Sequence, residues 1–404
     1  MRSPAEMQTI QVELTSACVL KCSNCTRFSG THVKPNFLSF EEFKAAIDSL
    51  VEYSRLPHAI IGFMGGEPLL HHQFPQFCEY ALSKIDRAKL GLWSTFPDAP
   101  KYKAYGPLIV KTFGVILLND HSRDDIKHAP VLMASEEYFR KPCDFCKGKG
   151  ELLGAGIMDE GLVMKKCPDC GGSGTVTDDA TLFQAVEHCW VQESWSASIN
   201  NKGAFFCEVA AALDDLFGGP GGWPVEPGWW KRTPKDFQEQ MDWACRKCGA
   251  ALPLTRIRNS QDPKDDVSPG NLERLKAIKS KKVARGEFEV REKFEFDPEL
   301  VKKGTYPHQT YKEEHYRQTI AARYGIRLVL DSRGYWEPTL ASEGWKPAEP
   351  VKPLFEIFQQ QSYPVGVSSE ERLHGSAIDS LSGVSGRRGK RGSAGVARRS
   401  LRDQ

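Results

Sequence analysis

The chain lacks any run of about 18 apolar residues, so no transmembrane helix is expected. Met1 to Ile10 is polar and charged, with no apolar core of a secretion signal. Net charge is close to absent too: 54 Lys and Arg against 52 Asp and Glu give +2, which excludes a chain-wide bias toward nucleic acid. The balance is uneven, because Arg387 to Gln404 holds seven Arg or Lys and one Asp, or +6, leaving 2 − 6 = −4 for the rest. Cysteine is not scarce. Twelve of them without a secretion signal point to metal sites rather than disulfides, and to a reducing cytoplasm that keeps thiolates available.

The stretch on which the chain is organised is Cys18-Val19-Leu20-Lys21-Cys22-Ser23-Asn24-Cys25, after an apolar-alternating run from Thr9 to Leu14. Three cysteines at C-x₃-C-x₂-C are one short of the four protein ligands of a structural zinc site. Close, fixed thiolate spacing suits an iron–sulfur cluster with one iron left open. Further on, Ser39-Phe40-Glu41-Glu42 reads as a helix cap, and Phe43, Ile47, Leu50 and Val51 recur at helical spacing, predicting a helix over Ser39 to Tyr53. Ala59 to Met64 reads as a buried parallel strand ending at Gly65-Gly66-Glu67-Pro68. A helix over Phe74 to Ile85, strands over Leu90 to Thr95 and Phe113 to Leu118, and a fifth strand at Pro130 to Ala134 complete an α/β pattern with a parallel sheet. Cys18, Gly65, Thr95 and Asp120 all fall at carboxyl ends of strands, where ligands gather in such sheets.

The cysteine spacing, the strand before it and Gly65-Gly66-Glu67-Pro68 about 40 residues later together resemble the radical S-adenosylmethionine (SAM) enzymes. That family often has an aromatic residue before the third cysteine; here it is Asn24. The resemblance implies a partial (β/α) barrel. It implies a 4Fe–4S cluster on Cys18, Cys22 and Cys25, with SAM on the fourth iron and Gly65 and Gly66 giving SAM a close approach. Glu67 is either an acceptor for the methionyl ammonium or a brace for the turn, and Thr95 and Asp120 are candidates for ribose or carboxylate contact. It further implies reductive cleavage of SAM to a 5′-deoxyadenosyl radical that abstracts a substrate hydrogen, with electrons from a donor such as flavodoxin or ferredoxin.

Two further cysteine sets follow. Cys143-Asp144-Phe145-Cys146-Lys147-Gly148-Lys149-Gly150 and Cys167-Pro168-Asp169-Cys170-Gly171-Gly172-Ser173-Gly174 are both C-x-x-C-x-G-x-G, and four thiolates fit tetrahedral zinc. The repeat resembles the cysteine-rich region of DnaJ-type chaperones over Pro142 to Gly174, and reads as a zinc-knuckle insertion. Cys189, Cys207, Cys245 and Cys248 form the second set, with helices over Thr181 to His188 and Val209 to Leu216. This block resembles the twitch extension related to SPASM domains, which implies one auxiliary 4Fe–4S cluster; a zinc ribbon is the alternative. The domains so expected are 1–140 (radical-SAM core), 141–176 (insertion), 177–260 (auxiliary-cluster domain), 261–367 (accessory region) and 368–404 (disordered basic tail).

A second cluster implies a two-electron oxidation, and a small polar substrate such as a sugar is expected. The base for a hydroxyl proton is sought among His71, His72, His121 and His188 by residue type, and Cys78 reads as a buried structural thiol. Radical modification of a peptide or nucleic-acid base is the enzymatic alternative, with the basic tail a possible nucleic-acid contact and otherwise solvated. A non-catalytic zinc-binding adaptor is the reading from a different class.

Overall fold

The computed structural model describes residues 1–118, 128–155, 162–194, 196–253, 262–292 and 314–347. All of them belong to one compact unit, Met1–Pro353. Its strands are β1 (Thr9–Thr15), β2 (Ile60–Gly65), β3 (Leu90–Ser94), β4 (Val115–Leu118), β5 (Arg140–Pro142), β6 (Glu151–Ala155), β7 (Leu162–Lys166), β8 (Thr175–Thr177), β9 (Ser196–Asn200), β10 (Gly203–Phe205), β11 (Asp265–Val267), β12 (Phe288–Val290), β13 (Ile326–Leu330) and β14 (Trp336–Leu340). The main sheet runs β10-β9-β1-β2-β3-β4. β9 and β1 to β4 are parallel, and β10 turns back antiparallel to β9.

Register explains the two faces. Ile10 pairs with Ile61, which pairs with Leu90, and Val12 pairs with Phe63, then Leu92 and Ile116, all buried among the helices. The helix Phe40–Leu50 starts where the Ser39 hydroxyl accepts from the Glu42 N–H and the Glu42 carboxylate accepts from the Ser39 N–H, a reciprocal cap. It buries Phe43, Ala46, Ile47 and Leu50, and Phe43 stacks on Phe77 of the helix Phe74–Lys84 at 4.1 Å between centroids. Burying such a Phe contributes about 1.5–3 kcal/mol.

The opposite face of the sheet is divided. On β9 and β1 it carries Ser196, Ser198, Gln11 and Glu13; from β2 to β4 it carries Ile60, Met64, Trp93, Val115 and Leu117. Trp93 lies flat because its neighbours are glycines: a Cβ on Gly91 would come within 2.1 Å of the indole and one on Gly62 within 2.8 Å. Tyr335, between β13 and β14, packs on this apolar half.

The expected fifth strand at Pro130 to Ala134 does not form. Its carbonyls are taken by other segments: Val131 accepts from the Gly249 N–H and Leu132 from the Ser268 N–H. The strand that enlarges the sheet is instead β9, on the far side of β1. Thus 177–260, read from sequence as auxiliary, contributes two strands to the main sheet. In the insertion, β5 pairs with β8 and β6 with β7, a small module of two hairpin-like ladders.

Candidate active site and metal centres

The loops after β1, β2 and β3 meet at one cavity that is open to solvent. Cys18, Cys22 and Cys25 line it together with Gly65, Gly66, Ser94 and Thr95, so the sequence-predicted site residues on described positions converge. Asp120 and His121 lie outside the described residues.

The glycines also have a packing role. Gly65 has φ +147°, and a Cβ there would lie 2.2 Å from the Thr15 carbonyl oxygen; a Cβ on Gly66 would lie 2.2 Å from that of Ala17. The missing side chains let this turn pack against the backbone leading into the cysteine loop. There the Gly66 N–H donates to the Thr15 carbonyl (2.6 Å) and the Glu67 N–H to that of Ala17 (2.7 Å). Glu67 is the brace of the turn. Its Oε1 accepts from the Leu69 N–H and the Ser94 hydroxyl, and its Oε2 from the Thr95 N–H and hydroxyl, all at 2.7–3.1 Å. With its acceptors spent inside the chain, it is not an ammonium acceptor, and Thr95 reaches the cavity as Glu67's partner.

Four lining residues carried no motif signal: Arg27, Trp190, Glu208 and His128. Arg27, two positions after Cys25, forms a buried ion pair with Glu208 (2.8 Å) and donates to Gln11 Oε1 (2.8 Å); Ser196 donates to the same Glu208 oxygen. Burial raises the Glu208 carboxyl, against the Arg27 charge. Glu13, on the same face of the sheet, is pushed up to about 7, by burial first, with Arg27 opposing. A charged residue next to a cysteine is common in any sequence; only the β1–β9 pairing, which brings Cys207's neighbour to Arg27, makes it informative.

The histidine expectations fail where they can be checked. His71 pairs through Nε2 with the Leu38 carbonyl and accepts the Gln73 N–H at Nδ1, and burial, then His72, pushes it down to about 4. Neither it nor His72 nor His188 lines the cavity, whereas His128 does, with Nδ1 2.9 Å from the Ser23 carbonyl. Cys78 is fully buried, as expected of a packing thiol.

In the insertion, Cys143 and Cys167 sulfurs are 3.7 Å apart, as are those of Cys146 and Cys170. Four sulfurs each about 2.3 Å from a tetrahedral ion stand about 3.8 Å apart, so this quartet has the geometry of a single zinc-like ion. The Gly150 N–H donates to the Cys146 sulfur and the Gly174 N–H to that of Cys170, as the repeat demands. The remaining quartet differs. Cys189, Cys207, Cys245 and Cys248 line a second cavity of about 370 Å³ with Phe206 and Leu213. Among the described residues, the insertion quartet alone has its ligand atoms all within 4.8 Å of one another. Neither the second quartet nor the N-terminal trio has that close spacing among the described residues. Burial raises the Cys207 thiol to about 12, and raises Cys245 and Cys248 well above the ordinary range, with the charge of neighbouring cysteines, Cys189 among them, adding to it. A metal's positive charge would reverse that.

No helix among the described residues is long and apolar enough to cross a membrane. No protein-family model matches the chain. A stretch of 96 residues is 35% identical to Fe-coproporphyrin III synthase of Methanosarcina barkeri (strain Fusaro / DSM 804), and the chain spans about a quarter of that relative's length, 23% of each. Among solved structures the chain is similar to BtrN in complex with AdoMet and 2-DOIA, with a TM-score of 0.35 and 14% identity, over 63% of this chain and 97% of that one. The cysteine trio and the glycines of the Gly-Gly-Glu-Pro turn lie far apart in sequence and close on one cavity over a parallel sheet. Both lie where the resemblance to the radical-SAM enzymes leads one to expect them, at the carboxyl ends of parallel strands.

Proposed function

We propose that the chain oxidises a small polar substrate, such as a sugar, by radical-SAM chemistry. In this reading Cys18, Cys22 and Cys25 hold the SAM-binding 4Fe–4S cluster, Cys189, Cys207, Cys245 and Cys248 an auxiliary 4Fe–4S cluster, and Cys143, Cys146, Cys167 and Cys170 zinc. The loaded site would supply reductive cleavage of SAM and a 5′-deoxyadenosyl radical for hydrogen abstraction. The observation that carries the reading is the shared cavity of the trio, Gly65, Gly66 and Thr95. Its walls support the substrate class: Trp93 and Trp190 offer flat apolar faces, and the Arg27–Glu208 ion pair brings charged groups to the same cavity. The second cavity begins at Cys207, next to Glu208, so an electron leaving the substrate would have a short path to the auxiliary site.

The expected units follow the same reading: a core over 1–140, an insertion over 141–176, an auxiliary-cluster region over 177–260, an accessory region over 261–367 and a tail over 368–404. The natural setting is a reducing cytoplasm with flavodoxin or ferredoxin as electron donor. Modification of a peptide or nucleic-acid base draws support from one feature, the exposed Phe145, Leu153 and Met164 of the insertion. The test is anaerobic reconstitution with iron and sulfide, then dithionite and SAM. Release of 5′-deoxyadenosine, abolished by Cys22→Ala, is expected; a colourless protein that leaves SAM intact sinks the proposal. Deuterium transfer from candidate sugars then separates small substrates from macromolecular ones.

A further inference from the structure

The cysteine loop is held by residues more than 200 positions away. The Asn24 N–H donates to Asp265 Oδ1 (2.7 Å), the Asn24 side-chain amide donates to Asp266 Oδ2 (2.8 Å), and the Asp266 N–H donates back to Asn24 Oδ1 (2.9 Å). Lys282 Nζ bridges the Cys22 carbonyl (2.9 Å) and Asp265 Oδ1 (2.7 Å). Lys282 and Asp265 are 2% and 4% exposed, so the pair stands or falls together: removing either leaves a buried charge without a partner. Asn24 sits at φ +50°, a conformation that Asn tolerates.

The same segment grips the second quartet. Asn271, in the helix Pro269–Ala277, donates its side-chain amide to the carbonyls of Lys247 and Leu132, both at 2.8 Å. Lys247 lies between Cys245 and Cys248, and the Cys248 carbonyl accepts from Ser135 next to the same Ala134 that bonds Ser268. One short stretch, Asp265 to Lys282, therefore fixes the backbone of two cysteine sites at once.

We propose that Asp265–Lys282 is a clamp coupling metal occupancy of the Cys18/Cys22/Cys25 loop to that of the Cys189/Cys207/Cys245/Cys248 quartet. Asn24, Asp265 and Lys282 are the positioning residues at one end and Asn271 at the other. This rests on the reading of both as cluster sites. A filled quartet holds the Lys247 carbonyl where Asn271 needs it, which keeps Asp265 and Lys282 on the cysteine loop; by linkage the influence runs equally in the other direction.

The reconstituted full-length chain tests it. The N-terminal cluster is followed by the reduced-state EPR signal that changes on adding SAM, while a ferrous chelator strips iron. Emptying the quartet with Cys245→Ser and Cys248→Ser is expected to speed loss of that signal several-fold, within the roughly 5- to 150-fold span of such couplings. Asn271→Ala alone is expected to give a similar rate, and emptying the quartet in that variant to add nothing. Asn24→Gly, which keeps the positive φ and deletes the side-chain bonds, is expected to act likewise and does not depend on Asn271 variants folding. An unchanged rate on emptying the quartet overturns the clamp. So does an undiminished effect in Asn271→Ala, which would assign the coupling to Arg27–Glu208 instead. A chain that takes up no iron overturns the cluster reading as well, whereas iron bound without coupling overturns the clamp alone.

Discussion

Two cysteine quartets in this molecule share a donor set and almost nothing else. The insertion quartet is local: a repeated motif brings its sulfurs to 3.7 Å, and its β6–β7 ladder leaves Leu153 and Met164 exposed on opposite strands. The other is assembled from the end of one helix, the residue before the helix Glu208–Phe217, and a turn after the helix Gln238–Ala244, around a cavity. The difference teaches that spacing in space, more than residue count, decides what a set of thiolates can hold. Four thiolates at tetrahedral contact fit one ion; four thiolates around a void fit something with its own volume.

The largest effect should come from emptying each quartet in turn. Cys146→Ser with Cys170→Ser is expected to remove about one zinc per chain and unfold the insertion, since metal binding at such sites is folding energy of about 10 kcal/mol or more. Iron, about eight per chain, should stay. Cys245→Ser with Cys248→Ser should remove about four irons and leave the zinc. Metal analysis of the purified variants checks both. Zinc in place of iron at the buried quartet would erase the contrast.

Much of this was legible because it was local. The trio, the Gly-Gly-Glu-Pro turn, the paired knuckles and the first four strands are short-range patterns, and each has its place in the fold. What the sequence concealed is non-local. Glu67 carries no mark of the four hydrogen bonds that make it a brace, because Ser94 and Thr95 reach it only through β2–β3 pairing. Arg27 and Glu208 meet only because β9 lies beside β1. Pro130 to Ala134 has the composition of a strand, but its carbonyls are taken by Gly249 and Ser268 before any strand can use them.

The glycines sharpen the contrast next. Gly150 and Gly174 have φ of +78° and +76°, and an added Cβ would lie 2.4 Å from the Gly172 carbonyl oxygen and 2.5 Å from that of Gly148. Each knuckle is thus braced by the other's backbone. Gly150→Ala and Gly174→Ala should each cost about 3–4 kcal/mol, from left-handed strain of about 1–2 kcal/mol plus the collision. The cost should appear as weaker zinc retention in a competition with a chromogenic chelator, with iron unaltered. Unequal effects of the two would mean that the repeat is not mechanically symmetric.

Burial-driven chemistry should be confined to the core. Glu13 rises from an ordinary 4.5 to about 7. Between those values the folded state binds more protons than the unfolded one, so stability falls as pH climbs through the window and is level above it. Glu13→Gln removes the ionisable group and should stabilise the chain at pH 8 by up to about 3 kcal/mol, and hardly at all at pH 4. Denaturant unfolding at the two pH values tests this. Zinc retention in the insertion should not change, and a parallel shift there would show that the two regions share their electrostatics.

The smallest effect should come from the tie between the buried quartet and the surface. Arg246, between Cys245 and Cys248, pairs with Asp179 at 2.6 Å, but Asp179 is 58% exposed and Arg246 26%. Such a pair loses most of its Coulomb gain to solvent and to the ordering of two side chains, so Asp179→Asn should cost under about 1 kcal/mol, less still at high salt. Arg246 would keep its place over the Phe183 ring, 5.4 Å from the centroid, and Asp178 would still cap the helix Asp179–Glu187. Iron content and its rate of loss to a chelator should therefore match the parent. If Asp179→Asn empties the quartet, its geometry depends on a solvent-exposed contact rather than on the packing around its cavity, and the distinction between a surface-built and a core-built site fails.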